Sequence, residues 1–303
     1  MFNSKLKGLL LALTSAVGYS AVYIFAKFAQ MDIKTDLFIF WWFLFASIWS
    51  LIILLARRDI IKFLKKLREH WLFFLYFGTS EAFATFLFFY MVKKLNPSLV
   101  SFIINLQPLF IILLGFIILS EKLNVYEGIG GAIAIAGTII ITYASPEAGL
   151  FSIAVLLFMT LVYSLNTVLV RLKVKGIPAI FIAIFRVYTL FALYSIYLLL
   201  QGKLNIPSKF AMLNIIVGSL LGPVLATYSL YQALKYLKAA NVSIIKTIQP
   251  FLVVLATYIV LGEKLKFSQL IGGIIIILGI NILIMGNRTN IKNAFSKKPN
   301  HSV

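Results

Sequence analysis

The chain of 303 residues is 61% hydrophobic and 12% charged, contains no cysteine and carries a formal net charge of +19. A soluble domain would hold about 25% charged residues, and apolar runs recur here from end to end, so the class is a polytopic helical membrane protein. Disulfides and cysteine-ligated metals are excluded, and both histidines (His70 and His301) sit at segment ends or in the tail; neither metal nor cofactor is expected, and so apolar a surface leaves no area for nucleic acid.

Met1–Lys7 is a short basic start, followed by an apolar run, Gly8–Phe28, long enough to span a bilayer. No small-residue cleavage site follows it and further runs come at once, so it reads as span 1 rather than a removed leader. The next runs predict span 2 over 37–56, span 3 over 71–92, span 4 over 98–119 and span 5 over 126–143. Ser145-Pro146-Glu147 breaks the chain near its midpoint. Span 6 follows over 150–170, span 7 over 178–200, span 8 over 210–232, span 9 over 241–261 and span 10 over 267–285. From Asn287 the chain is polar and lysine-rich, and disorder is expected there. The domain reading is a first unit at 1–144, a second at 149–286 and a cytoplasmic tail at 287–303.

One string of residues occurs twice. Gln107-Pro108, Glu121-Lys122-Leu123, Gly130-Gly131 and Gly137 return, displaced by 142 positions without a gap, as Gln249-Pro250, Glu263-Lys264-Leu265, Gly272-Gly273 and Gly279. Such a register marks an internal duplication. Each copy has an odd number of spans, five, so the second enters the membrane from the opposite side, the arrangement of many secondary transporters. With both termini inside, 18 of the 28 basic residues fall in cytoplasmic segments and 7 in external ones. That bias follows the positive-inside rule.

These motifs, with Gly115 after Pro108 and Gly262 before Glu263, resemble the EamA repeat of the drug/metabolite transporter superfamily over nearly the whole chain. The resemblance implies a ten-helix carrier with a central cavity between two halves. Spans 4 and 9 would be equivalent cavity elements and spans 5 and 10 more peripheral; members of the family include amino-acid exporters. One departure is visible: the family often has a basic residue in the second helix of each repeat, whereas here only the second copy has one, Arg186, with Trp42 opposite it.

Three ionisable residues stand inside apolar runs. Glu81 lies mid-span in span 3, where an ionised carboxylate costs several kcal/mol, roughly 2.5–3.5 on insertion scales. It is either a proton-coupling group or a partner for a substrate amine, or else one half of a structural ion pair with Arg186 or Lys246. Arg186 lies in span 7 and Lys246 in span 9. Ser243, Lys246, Thr247 and Pro250 share one helical face, and Ser101, Asn105 and Pro108 form the matching face of span 4. Tyr163, Asn166 and Thr167 share a face of span 6, and Tyr19 is the repeat counterpart of Tyr163. Pro108 and Pro250 interrupt helical bonding at matching places, the best sequence pointer to a transporter site, and Gln107 and Gln249 beside them can bond freed carbonyls or a ligand. Lys27 and Arg171, at span ends, are expected to snorkel toward headgroups. The glycines of spans 5 and 10 are expected to serve close helix packing.

The expected function is secondary transport of a small metabolite, amino-acid-like and exported, with a proton as candidate coupling ion, by a monomer or homodimer in the plasma membrane. Alternatives are a carrier or flippase for a lipid-linked or strongly anionic compound, and a non-transporting scaffold. An enzyme is not expected, because the spans hold no paired-carboxylate, Ser/His or metal constellation.

Overall fold

A computed structural model describes residues 2–119, 125–144, 148–202, 204–237, 242, 245–262 and 264–296. Those residues form helices and connections, with no strand among them. In lipid every backbone polar group must bond internally, and helices achieve this within one segment. Among the described residues, seven helices are long and apolar enough to cross a membrane, and three shorter apolar helices accompany them.

The first copy comprises α1 (Phe2–Ala29), α2 (Thr35–Arg57), α3 (Ile60–Glu69), α4 (Trp71–Lys94), α5 (Pro97–Ile104), α6 (Gln107–Leu119) and α7 (Val125–Ala144). The second comprises α8 (Gly149–Lys173), α9 (Ala179–Gln201), α10 (Lys209–Ser219), a π-helical turn (Leu220–Ala226), α11 (Thr227–Tyr236), α12 (Gln249–Ala256), a second π turn (Thr257–Leu261) and α13 (Phe267–Ser296). Glu121, Lys122, Pro146, Glu147, Ser243 and Glu263 lie outside the described residues.

The helix breaks expected at Pro108 and Pro250 are present, and other expectations need correction. Span 4 is two helices, because Pro108 has no N–H and cannot continue the bonding of α5; the chain turns at Asn105 and Leu106 and restarts at Gln107. Span 9 turns likewise at Thr247 and Ile248, and α12 starts with its proline in the first turn. Span 8 is divided by the π turn around Pro223, which absorbs the missing hydrogen bond without ending the helix. The tail is helical as far as Ser296, since no proline or glycine after Asn287 stops α13 before that point.

The segment from Arg57 to Arg68, expected to be a loop, contains α3. Ile60, Phe63, Leu64 and Leu67 recur at three- and four-residue steps, with Lys62, Lys65 and Lys66 between them. Phe63 is buried against Phe181, ring centroids 5.6 Å apart. Asp59, just before α3, accepts from Arg57 Nε at 3.1 Å and from Lys62 Nζ at 3.0 Å. Both cations hold its carboxyl below the usual range, Lys62 foremost.

Glycines set the closest helix contacts. A Cβ on Gly279 of α13 would lie 2.5 Å from the Ala134 nitrogen of α7, and one on Gly137 would lie 2.7 Å from the Gly272 carbonyl oxygen. So α7 and α13 pack backbone to backbone, the association expected of small residues in spans. The ends of the molecule are tied by polar contacts. At one end Lys27 Nζ donates to the carbonyls of Lys93 and Leu95, each at 3.1 Å. The headgroup role expected of Lys27 is thus replaced by a bond to the negative C-terminal end of α4.

Candidate functional site

A central cavity of about 110 Å³ opens between the halves. Its walls come from α1 (Tyr19, Tyr23), α2 (Trp42, Phe43), α4 (Glu81, Thr85), α8 (Tyr163, Thr167), α9 (Arg186) and the π turn with α11 (Pro223, Thr227, Tyr231). The two proline-broken segments add Ile104, Gln107, Lys246 and Gln249. No residue of α7 or α13 lines it among the described residues.

Glu81 is 4% exposed and Arg186 8%, and they form a direct ion pair, Arg186 Nε donating to Glu81 Oε2. The other carboxylate oxygen accepts from Asn166 Nδ2 at 2.9 Å, and Asn166 Oδ1 in turn accepts from Ser80 Oγ at 2.9 Å. Arg186 Nη2 donates to Thr85 Oγ1 at 3.0 Å, and its guanidinium lies 5.8 Å from the Phe43 ring centroid. Buried charges persist when paired and hydrogen-bonded in this way. Of the two cations the sequence offered to Glu81, the fold joins it to Arg186.

Lys246 is the second cation on the wall. Its Nζ donates to Gln107 Oε1 at 3.4 Å, a long bond to a neutral group, and lies 5.4 Å from the Tyr19 ring centroid. No carboxylate pairs with it among the described residues. Gln107 is held for that purpose: its Nε2 donates to Thr167 Oγ1 at 2.9 Å and to the Tyr163 carbonyl at 3.2 Å. The Gln249 main-chain carbonyl accepts from Ser20 Oγ at 3.4 Å. Tyr19 and Thr227 hydroxyls meet at 2.9 Å, and Tyr163 donates to Thr85 Oγ1 at 3.4 Å.

The fold therefore brings Tyr19, Glu81, Gln107, Tyr163, Arg186, Lys246 and Gln249 to one cavity. Asn166 stands behind Glu81 rather than on the wall. Asn105 lines a small adjoining recess with Ser101, Pro108 and Pro250, which shares Ile104, Gln107, Lys246 and Gln249 with the cavity, and its buried Nδ2 has no partner among the described residues. Thr247 is buried away from both spaces. The sequence reading missed Thr85, Tyr23, Phe43, Thr227 and Tyr231. Thr85 had a legible signal, standing four residues after Glu81 on the same face of α4.

An all-helical chain of apolar spans around a buried, partly charged cavity with matching helix breaks has the build of a membrane transporter. The profile of the EamA-like transporter family matches residues 6–143 and 150–285. The chain belongs to that family, so it is a multi-pass membrane transporter of the drug/metabolite type. A solved structure described only as the crystal structure of a protein is 19% identical, with a TM-score of 0.70, over 93% of this chain and 98% of its own; this likeness is one of fold. Among curated proteins none matches.

Proposed function

We propose that the protein is a proton-coupled secondary transporter of a small carboxylate-bearing metabolite such as an amino acid, working by alternating access in the plasma membrane, in the export direction. The observation that carries the reading is the division of labour among three buried charges. Glu81 and Arg186 neutralise each other, which leaves Lys246 as the cation available to a substrate carboxylate. Aromatic walls from Tyr19, Trp42, Phe43 and Tyr231 suit an apolar substrate body. Ten spans in two inverted five-helix units, 1–144 and 149–286, with both termini inside, fit the charge bias and the matching breaks before Pro108 and Pro250.

In this scheme the substrate carboxylate docks at Lys246 beside Gln107. Protonation of Glu81 cancels its attraction for Arg186, and the guanidinium moves with α9 while Asn166 keeps the neutral carboxyl in place. The α4–α9 contact is then the element with two arrangements, biased by a proton on one side of it and by substrate on the other. Release of the proton restores the pair.

The test is uptake by proteoliposomes of purified protein, offered labelled amino acids and other monocarboxylates, with and without an imposed pH gradient. Uptake should depend on the gradient, and Glu81→Gln should abolish that dependence while leaving folded protein. Gradient-driven uptake undiminished in Glu81→Gln would sink the coupling assignment. Uptake of cations in preference to anions would sink the assignment of Lys246.

A further inference from the structure

A larger cavity, about 330 Å³, lies at the end of the molecule that carries Arg57, Lys175 and Lys235. That is within the size range of small-ligand clefts, about 300–1,000 Å³. Its three cations come from separate segments: Arg57 closes α2, Lys175 lies between α8 and α9, and Lys235 is in the last turn of α11. Ala179 and Ile180, the first two residues of α9, complete the wall. Their N–H groups precede any helical acceptor, because the hydrogen bonds of α9 begin with Phe181 N–H to the Pro178 carbonyl at 2.9 Å. A helix start with free amides and a positive dipole end binds anions.

The charges there are only partly satisfied. Arg57 uses Nε on Asp59 at 3.1 Å, and its terminal nitrogens make no bond among the described residues. Lys175 and Lys235 have no ion-pair partner among the described residues, and no carboxylate lines the cavity. Gln232 and Tyr228, bonded to each other at 2.9 Å, add further donors to one wall. A preference of basic residues for the cytoplasmic end accounts for lysines being at this end. It does not account for two lysines and an arginine converging on a concave space together with the amide end of a helix.

We infer that this cavity is a binding site for a phosphate group, supplied either by the headgroup of an anionic lipid or by a soluble phosphate ester. Arginine and lysine give charge-assisted bonds, and the α9 amides give directed ones, to phosphate oxygens. The site joins the end of α2, from the first copy, to α8, α9 and α11 of the second, so its occupant bridges the halves. It is separate from the central cavity and does not depend on how transport is assigned.

The experiment is native mass spectrometry of the detergent-purified protein titrated with phosphatidylglycerol, alongside calorimetric titration with inorganic phosphate. Two double variants remove equal charge from exposed positions at the same end: Lys175→Gln with Lys235→Gln on the cavity wall, and Lys65→Gln with Arg68→Gln on α3 outside it. Monodisperse elution and an unchanged unfolding temperature establish that each is folded. Saturable lipid binding, weakened at least tenfold by the cavity pair and unchanged by the α3 pair, assigns the site to a lipid headgroup. The same pattern with inorganic phosphate assigns it to a soluble ester. Equal weakening by both pairs, no weakening by the cavity pair, or no saturable binding of either probe would overturn the inference.

Discussion

Removing both members of the Glu81–Arg186 pair should cost less than the two single removals added together. Both side chains are buried, and each has a second partner, Asn166 for the carboxylate and Thr85 for the guanidinium. Arg186→Gln leaves a buried carboxylate with one amide donor, and Glu81→Gln leaves a buried guanidinium beside neutral oxygens. Loss of one member of a buried pair typically destabilises by about 3–5 kcal/mol. In the double variant, Glu81→Gln with Arg186→Gln, neither charge remains and two amides can bond across the gap and to Asn166 and Thr85. Its total cost should therefore fall below the sum of the singles by up to about 3 kcal/mol, the range of coupling found between contacting residues. Equilibrium unfolding by denaturant in one mild detergent, with a folding probe common to all four proteins, gives the cycle. Additive single losses would refute the reasoning, because they would mean that the two charges do not stabilise each other.

Lys246→Met should weaken substrate uptake roughly tenfold to a hundredfold through KM, as expected for loss of a charged hydrogen bond of about 1.5–3 kcal/mol, with stability little changed; a kcat effect alone would contradict the docking role. Gly279→Ala should destabilise by about 1–3 kcal/mol, because the new methyl meets the α7 backbone, whereas Gly128→Ala, with nothing within 4 Å, should be neutral or slightly stabilising. Thermal unfolding of the two side by side checks this. Asp59 has its carboxyl held low by Lys62 and Arg57, so the stability it contributes is present above the ordinary Asp value of about 3.9 and is lost as pH falls through its own lower value. Hydrogen exchange in α3 should accelerate only on acidification below that ordinary value, and Asp59→Asn should remove the pH dependence.

The helix breaks were legible because proline removes a specific donor, so Pro108 and Pro250 announce the turns before them in any helical setting. Family membership was legible for a related reason: the glycines that let α7 and α13 touch must recur at fixed positions in both copies. The choice of partner for Glu81 was not legible. Helical periodicity gives the direction of a side chain around its own axis, but neither the tilt of the helix nor its depth against a neighbour. Asn105 and Asn166 were both read onto polar faces, yet Asn105 lines a side recess and Asn166 stands behind the carboxylate, while its face-mates Tyr163 and Thr167 reach the cavity. The aromatic walls were hidden because Tyr23, Phe43 and Tyr231 have the same composition signal as any apolar packing. Helix α3 was obscured by its charge, since six basic residues from Arg57 to Arg68 look like a loop until the spacing of Ile60, Phe63, Leu64 and Leu67 is followed.

The two prolines also determine what kind of surface the cavity presents. Pro108 has no N–H to give the carbonyl of Ile104, and Pro250 has none for the carbonyl of Lys246. Both of those residues stand on the cavity wall, at equivalent positions in the two copies. Each half thus carries a main-chain carbonyl deprived of its usual helical donor, at a residue that lines the cavity. No side-chain replacement at positions 104 or 246 can restore that bond, because the missing donor belongs to the proline.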